Sequence, residues 1–112
     1  MQTSEPRFIA SNELIWLKAD GSEVTVIARV GIPYQPDGHE YRCPVEIVGF
    51  DGRYPDIAGE SSLQALCLAI QLLATRLEDL QKEGGSLVYP DDRSAEWDRD
   101  SLKNLFGMRA RA

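Results

Sequence analysis

The alternation of apolar and polar positions is cleanest between Glu23 and Ile32. Val24, Val26, Ala28, Val30 and Ile32 fall on one side of an extended chain, and Thr25, Ile27, Arg29 and Gly31 on the other. A period of two is that of a strand with one buried face. The preceding run, FIASNELIWLK within Arg7–Lys18, is apolar-rich, and Asp20-Gly21 is a turn signal, so the two runs read as a β-hairpin. Tyr41–Gly49 predicts a third strand, with Cys43, Val45 and Ile47 on one face and Pro44, Glu46 and Val48 on the other. Pro44 has no N–H to give to a ladder, which predicts an edge position or a backbone nitrogen that points away from the ladder. Asp51-Gly52 marks a second tight turn, and Arg53–Ile57, interrupted by Pro55, a short fourth strand.

The period changes from Gly59 to Gly85. Leu63, Leu66, Cys67, Ile70, Leu73, Ala74, Leu77 and Leu80 recur at helical spacing as one broad stripe. Ser61 stands at the N-cap with Gln64 three residues on, a capping-box pattern, and Gly84-Gly85 can take the left-handed conformation that ends a helix. The stripe should lie across Val24, Val26 and Val30 and across Cys43, Val45 and Ile47. Each buried Leu or Ile there is worth roughly 1.5–3 kcal/mol. Leu68 and Leu72 point about 160° away from the stripe's centre. Downstream, Ser86–Tyr89 predicts a fifth strand, Pro90–Asp92 a turn, and Asp100–Phe106 a short helix ended by Gly107. Trp97, Leu102, Leu105 and Phe106 offer a cover for Leu68 and Leu72; a homodimer through Leu68 and Leu72 is the competing explanation. The fold class is therefore α+β: an antiparallel meander of four to five strands against one long helix, with a short C-terminal helix. At 112 residues it is a single domain, with residues 1–6 loose and 86–112 a C-terminal extension packing on the rest.

Several short motifs recur along this order: Gly31-Ile32-Pro33 after the second strand, Cys43-Pro44 in the third, Gly49, and GESSLQALCLA over 59–69. Together they resemble a small uncharacterised bacterial domain family, in which G-x-[DE]-S-x-Q-A-L-x-L-A opens a long helix. The likeness covers roughly residues 12–85. It departs at Glu60-Ser61-Ser62, where the resemblance leads one to expect an acidic residue directly before the serine that precedes Leu63. It implies a small α+β fold and no known activity, substrate or catalytic residue. Domains of this kind also resemble the small immunity and accessory proteins that accompany bacterial toxins, a likeness of size and charge.

Composition narrows the function classes. A net charge of −6 argues against a nucleic-acid surface and favours basic partners. No zinc-type spacing exists, and the single His39 cannot complete a His-rich site, so neither metal nor cofactor is expected. Cys43 and Cys67 both fall on core-facing positions and read as buried free thiols. The N-terminus has no signal architecture and no apolar run is long enough to span a membrane, so a cytoplasmic protein is expected.

Candidate contact residues remain. Trp16, Ile27 and Val48, with Leu14, would make the sheet face away from the helix unusually apolar, either as a partner contact or as a seat for the C-terminal tail in place of Leu68. Tyr34, His39 and Tyr41 in or beside the 33–41 loop are candidate anchors, or shelter for the sheet end. Asp91, Asp92, Glu96 and Asp98, with Asp100, form the densest carboxylate run, interleaved with Arg93, Arg99 and Lys103 as in a solvated segment. Arg29 and Glu46 sit on outward positions and can pair across the sheet. Ser61 and Ser62 sit at a helix N-terminus without a phosphate-binding loop, and no base is near in sequence. The reading is a non-enzymatic, acidic protein-binding module, in its most specific form an immunity-type protein that occludes a basic toxin. The alternatives are a homodimeric accessory protein or a small-molecule-binding domain at the helix start.

Overall fold

In the computed structural model, which describes residues 7–107, ten elements follow in the order β1 (Phe8–Leu17), β2 (Glu23–Gly31), β3 (Tyr41–Cys43), β4 (Val45–Val48), β5 (Gly52–Arg53), β6 (Ile57–Gly59), α1 (Ser62–Gln81), β7 (Ser86–Tyr89), β8 (Asp92–Glu96) and α2 (Arg99–Leu105). The expected loose residues 1–6 lie outside the described residues. The architecture is α+β: an antiparallel six-stranded sheet ordered β5-β4-β2-β1-β7-β8, a two-stranded sheet β3-β6, and the two helices. At the first hairpin, Gly21 takes φ +93° and Asp20 Oδ1 accepts from the N–H and hydroxyl of Ser22 at 2.9 and 2.6 Å. The chain then returns to the first strand through β7, so β1 lies inside the sheet.

The expected third strand is two strands. Pro44 interrupts it, with β3 pairing to β6 and β4 pairing to β2. Pro44 is buried at this junction and does not lie on an edge; lacking an N–H, it still accepts from Gly31 N–H at 2.8 Å. The expected fourth strand likewise divides into β5 and β6 around Tyr54-Pro55-Asp56. β8, whose sequence DRSAE shows no apolar alternation, is an additional edge strand. Its polarity suits an edge.

Helix α1 forms where expected, but it seats on a different stripe. Its buried residues are Ala65, Ala69, Leu73, Leu77 and Leu80. Leu63 is 68% exposed and Cys67 is exposed, contrary to expectation, while Leu66, Ile70 and Leu72 pack partly against the core. The seat is turned by about 70° from the sequence stripe, at 100° per residue. Close approach explains the turn. A Cβ on Gly59 would stand 2.5 Å from Ala65 N, so β6 and the helix start meet at backbone distance, and Ala65 and Ala69 are small enough to lie underneath. The cap is as expected in part: Ser61 Oγ accepts from Gln64 N–H at 3.0 Å, while Gln64 Oε1 accepts from Glu60 N–H at 2.6 Å, one residue before the N-cap.

The core joins Leu14, Val26, Ala28, Val30, Val45 and Ile47 of the sheet to Leu73, Leu77 and Leu80 of α1 and to Leu87, Trp97 and Leu102. The C-terminal extension therefore completes the core beside α1 and does not cover the helix's outer side. Helix α2 shares a crevice with Gln71, Ala74, Thr75 and Glu78. Leu68 stays 37% exposed, Leu105 39% exposed, and Leu72 turns partly inward. No helix among the described residues is long and apolar enough to cross a membrane.

Candidate functional site

Register assigns each side chain of the main sheet to a face. Leu14 pairs with Val26 and Trp16 with Val24, so both lie on the helix-covered face, not on the outer one. Trp16 is fixed there: its Nε1–H donates to Gly84 O at 3.0 Å, its ring meets Phe50 edge-on at 6.1 Å, and the Lys18 ammonium lies 4.8 Å from its centroid. With Leu80, Leu87 and Trp97 it borders a cleft of about 230 Å³. The expectation failed because both phases of ELIWL are apolar, so alternation alone does not choose between Leu14/Trp16 and Ile15/Leu17.

The outer face carries the opposite phase. Ile27 pairs with Val48 and with Glu13; Ile15 pairs with Thr25 and Val88; Val88 pairs with Glu96. Ile27 and Val48 thus lie side by side as expected, joined by Ile15, Leu17 and Val88. Ile15 and Val88 are only 6% and 4% exposed yet belong to no part of the main core, whereas Leu17, Ile27 and Val48 are partly exposed. Both helices contribute their buried residues to the other side of the sheet. Charges flank the stripe. Arg29 and Glu46 pair across the strands at 2.6 Å, as expected, and the Arg29 guanidinium also stacks on Phe8 at 4.2 Å. Arg93 reaches Glu23 at 2.6 Å, linking β8 to β2 across the two strands between. Glu13 and Glu96 are exposed and have no ion pair among the described residues.

The other candidates are dispersed. In the 33–41 loop, Tyr34 bridges to Arg42 and its hydroxyl donates to Asp56, which raises the phenol's pKa; Asp56 also accepts from Arg53 at 2.8 Å. Tyr41 packs against the core, while His39 and Glu40 are exposed. In the acidic run, Asp92 accepts from the N–H and hydroxyl of Ser94, and Asp98 caps α2 in a capping box with Ser101. These bonds hold both carboxyls below the usual range. Asp91 and Glu96 are exposed. Among the described residues no three His, Cys, Asp or Glu side chains are grouped to hold a metal ion.

Two features were missed in the sequence. Asp51 accepts from Arg76 at 2.6 Å and from the Tyr54 hydroxyl, and Arg76 also pairs with Asp79 at 2.6 Å and lies 5.2 Å from the Phe50 ring. This network ties the β4–β5 turn to α1, and it lowers the Asp51 pKa chiefly through the Arg76 bond. The second is a groove of about 480 Å³ between β1–β2 and the helices, lined by Ala10, Asn12, Val30, Ile70, Leu105 and Phe106. Asn12 Nδ2 is enclosed on the core face of β1 without a hydrogen-bond partner. Of the cysteines, burial pushes Cys43 up to about 11, and its Sγ donates to Gly31 O at 3.4 Å, so it is a poor nucleophile.

A family model described as a domain of unknown function, DUF6968, matches residues 12–98. The chain belongs to this family. The DUF6968 match spans the sequence from the middle of β1 to the cap of α2, and so includes β8 and both faces of the main sheet. Neither the comparison with curated proteins nor that with solved structures gives a match.

Proposed function

We propose that this DUF6968 domain is a non-enzymatic protein-binding module that docks a basic protein on its outer sheet face. One observation carries the reading: Leu17, Ile27 and Val48, each partly exposed, lie around the buried Ile15 and Val88 on a face to which neither helix contributes packing. An apolar centre with a charged rim is the composition of a docking patch. Glu13 and Glu96 beside it, and the chain's net charge of −6, favour a cationic partner. An immunity-type protein that occludes a bacterial toxin in the cytoplasm is the most concrete form of this reading, supported by small size and acidity.

The test is co-purification from the native host, followed by titration of the identified partner against the isolated domain. Ile27→Asp should weaken binding by at least tenfold while leaving the circular dichroism spectrum unchanged. A partner that is acidic, or that binds Ile27→Asp as tightly as the parent, counts against the reading. A toxin gene adjacent to this one would support the immunity form, and a metabolic operon would count against it.

A further inference from the structure

We propose that the Arg93–Glu23 ion pair is a strap over the outer apolar stripe, and that a partner docks by placing its own basic side chain on Glu23 instead of Arg93. The inference rests on the reading of the outer face as a docking surface. Ile15 and Val88 are 6% and 4% exposed on a face to which neither helix contributes packing, so something other than a helix covers them. The ion pair crosses the same ground. Arg93 belongs to β8 and Glu23 to β2, and β7 and β1 run between them. In a flat sheet, three strand spacings of about 4.8 Å would hold their backbones roughly 14 Å apart. Arg93 Nη1 nevertheless lies 2.6 Å from Glu23 Oε1. Side chains standing upright from the sheet would not meet over that span, so both lie along it. Glu23 pairs with Leu17, the outer-face neighbour of Ile15, which puts the bridge on the outer face.

The local sequence builds the strap. Val88 pairs with Glu96 and Tyr89 with Asp92, so Arg93, Ser94 and Ala95 form an irregular segment beside two adjacent residues of β7. Asp92 Oδ1 fixes this segment by accepting from the N–H and hydroxyl of Ser94 at 3.1 and 2.6 Å. An arginine stem is apolar, and it covers aliphatic side chains while its guanidinium stays in water. The bond at its end is weak. The two side chains are 52% and 50% exposed, and such pairs add little to stability and are screened by salt. The strap therefore opens at small cost. The exchange also states what the partner presents. Glu23 already accepts a guanidinium, so an arginine or lysine replaces Arg93 like for like, and the stripe beneath takes the aliphatic side chains beside it. Glu13 and Glu96, exposed and in no ion pair among the described residues, add negative charge at the same rim. A wholly apolar or acidic segment has nothing with which to displace Arg93.

Methyl NMR of the full chain with a neutral, water-soluble nitroxide tests the strap without any partner. Arg93→Ala should increase the paramagnetic broadening of the Ile15 and Val88 methyls by about twofold or more, because the stem that shields them is gone. Sodium chloride at about 1 M should move the parent in the same direction. Arg99→Ala makes the same charge change at an exposed residue in no ion pair among the described residues, and should leave both methyls as in the parent. The exchange is then titrated with the end-blocked peptide Leu-Arg-Leu. Arg93→Ala should bind it more tightly than the parent and Arg99→Ala do, and Glu23→Gln more weakly than the parent although its strap is open. Three results would overturn the proposal: equal broadening in Arg93→Ala and the parent, equal peptide affinity of Arg93→Ala and Arg99→Ala, or a Glu23→Gln affinity no weaker than the parent's, which includes no binding to any form. The two readings fail separately: equal broadening removes the strap even if Ile27→Asp weakens the native partner, and a native partner indifferent to Ile27→Asp removes the docking face even if the broadening rises.

Discussion

From Ile15 to Leu17, β1 runs between β2 and β7; from Phe8 to Glu13 it runs beside β2 alone. The difference is visible side chain by side chain. Leu14 and Ile15 are buried, and Trp16 is pinned by a hydrogen bond and a ring contact. Ile9, Ala10, Ser11 and Glu13 are exposed, and Asn12 brings a carboxamide onto the core face. One strand thus serves two purposes. Its second half is closed by apolar burial on both faces and by ladders on both edges. Its first half is held by one ladder and leaves backbone and groove open.

The largest test of this contrast is a pair of truncations in the same strand. Leu14→Ala should cost about 2–5 kcal/mol in denaturant unfolding, because it empties a wholly enclosed site. Ile9→Ala should lie within about 0.5 kcal/mol of the parent. Equal losses would break the comparison. Next in size is Gly85→Ala. Gly85 takes φ +76°, and an added Cβ would stand 2.1 Å from Leu17 O, so the change strikes where β7 joins the closed half. The φ alone costs roughly 1–3 kcal/mol, and the melting temperature should fall accordingly.

Asn12→Leu should act in the opposite direction. Removing an enclosed donor that lacks a partner should stabilise the fold by about 1 kcal/mol in denaturant unfolding. Smaller still is Glu46→Gln. It breaks the Arg29 pair on the partly exposed outer face and should cost between about 0.2 and 1 kcal/mol, less at high salt. Acid should act on the covered side. Asp51 has a lowered folded pKa, so its contribution is present above the unfolded value and is lost as pH falls through the folded one. Asp51→Asn should therefore be less stable than the parent at neutral pH and lose less on acidification below about pH 4, the usual carboxylate range.

Much of this was legible in the sequence. The β2 alternation, the Asp20-Gly21 turn, the Ser61 cap and the Arg29–Glu46 pair all stand as the residues implied. These depend on local chemistry or on a single phase of alternation. The helix rotation was not legible, because Leu63 and Cys67 are as apolar as any core residue; only the backbone contact of Gly59 with Ala65 selects the small-residue face. Pro44 was read inside a single strand and not as a junction between two sheets, since that depends on where β6 returns. The acidic run was legible as a solvated segment, but not the local use of Asp92 by a turn and of Asp98 by a cap. The free edge of β1 is a mismatch of lengths, ten residues against the four of β7, and becomes visible only once the register is known.

Residue-resolved amide hydrogen exchange of β1 measures that mismatch most directly. The Ile15 and Leu17 amides, which face β7, should exchange slowly, near the rate set by global unfolding, while the Ser11 amide, which points beyond the end of β7, and that of Glu13 should exchange much faster. Protection of Ser11 and Glu13 equal to that of Ile15 and Leu17 would contradict the account, because their N–H groups would already have partners within a single chain.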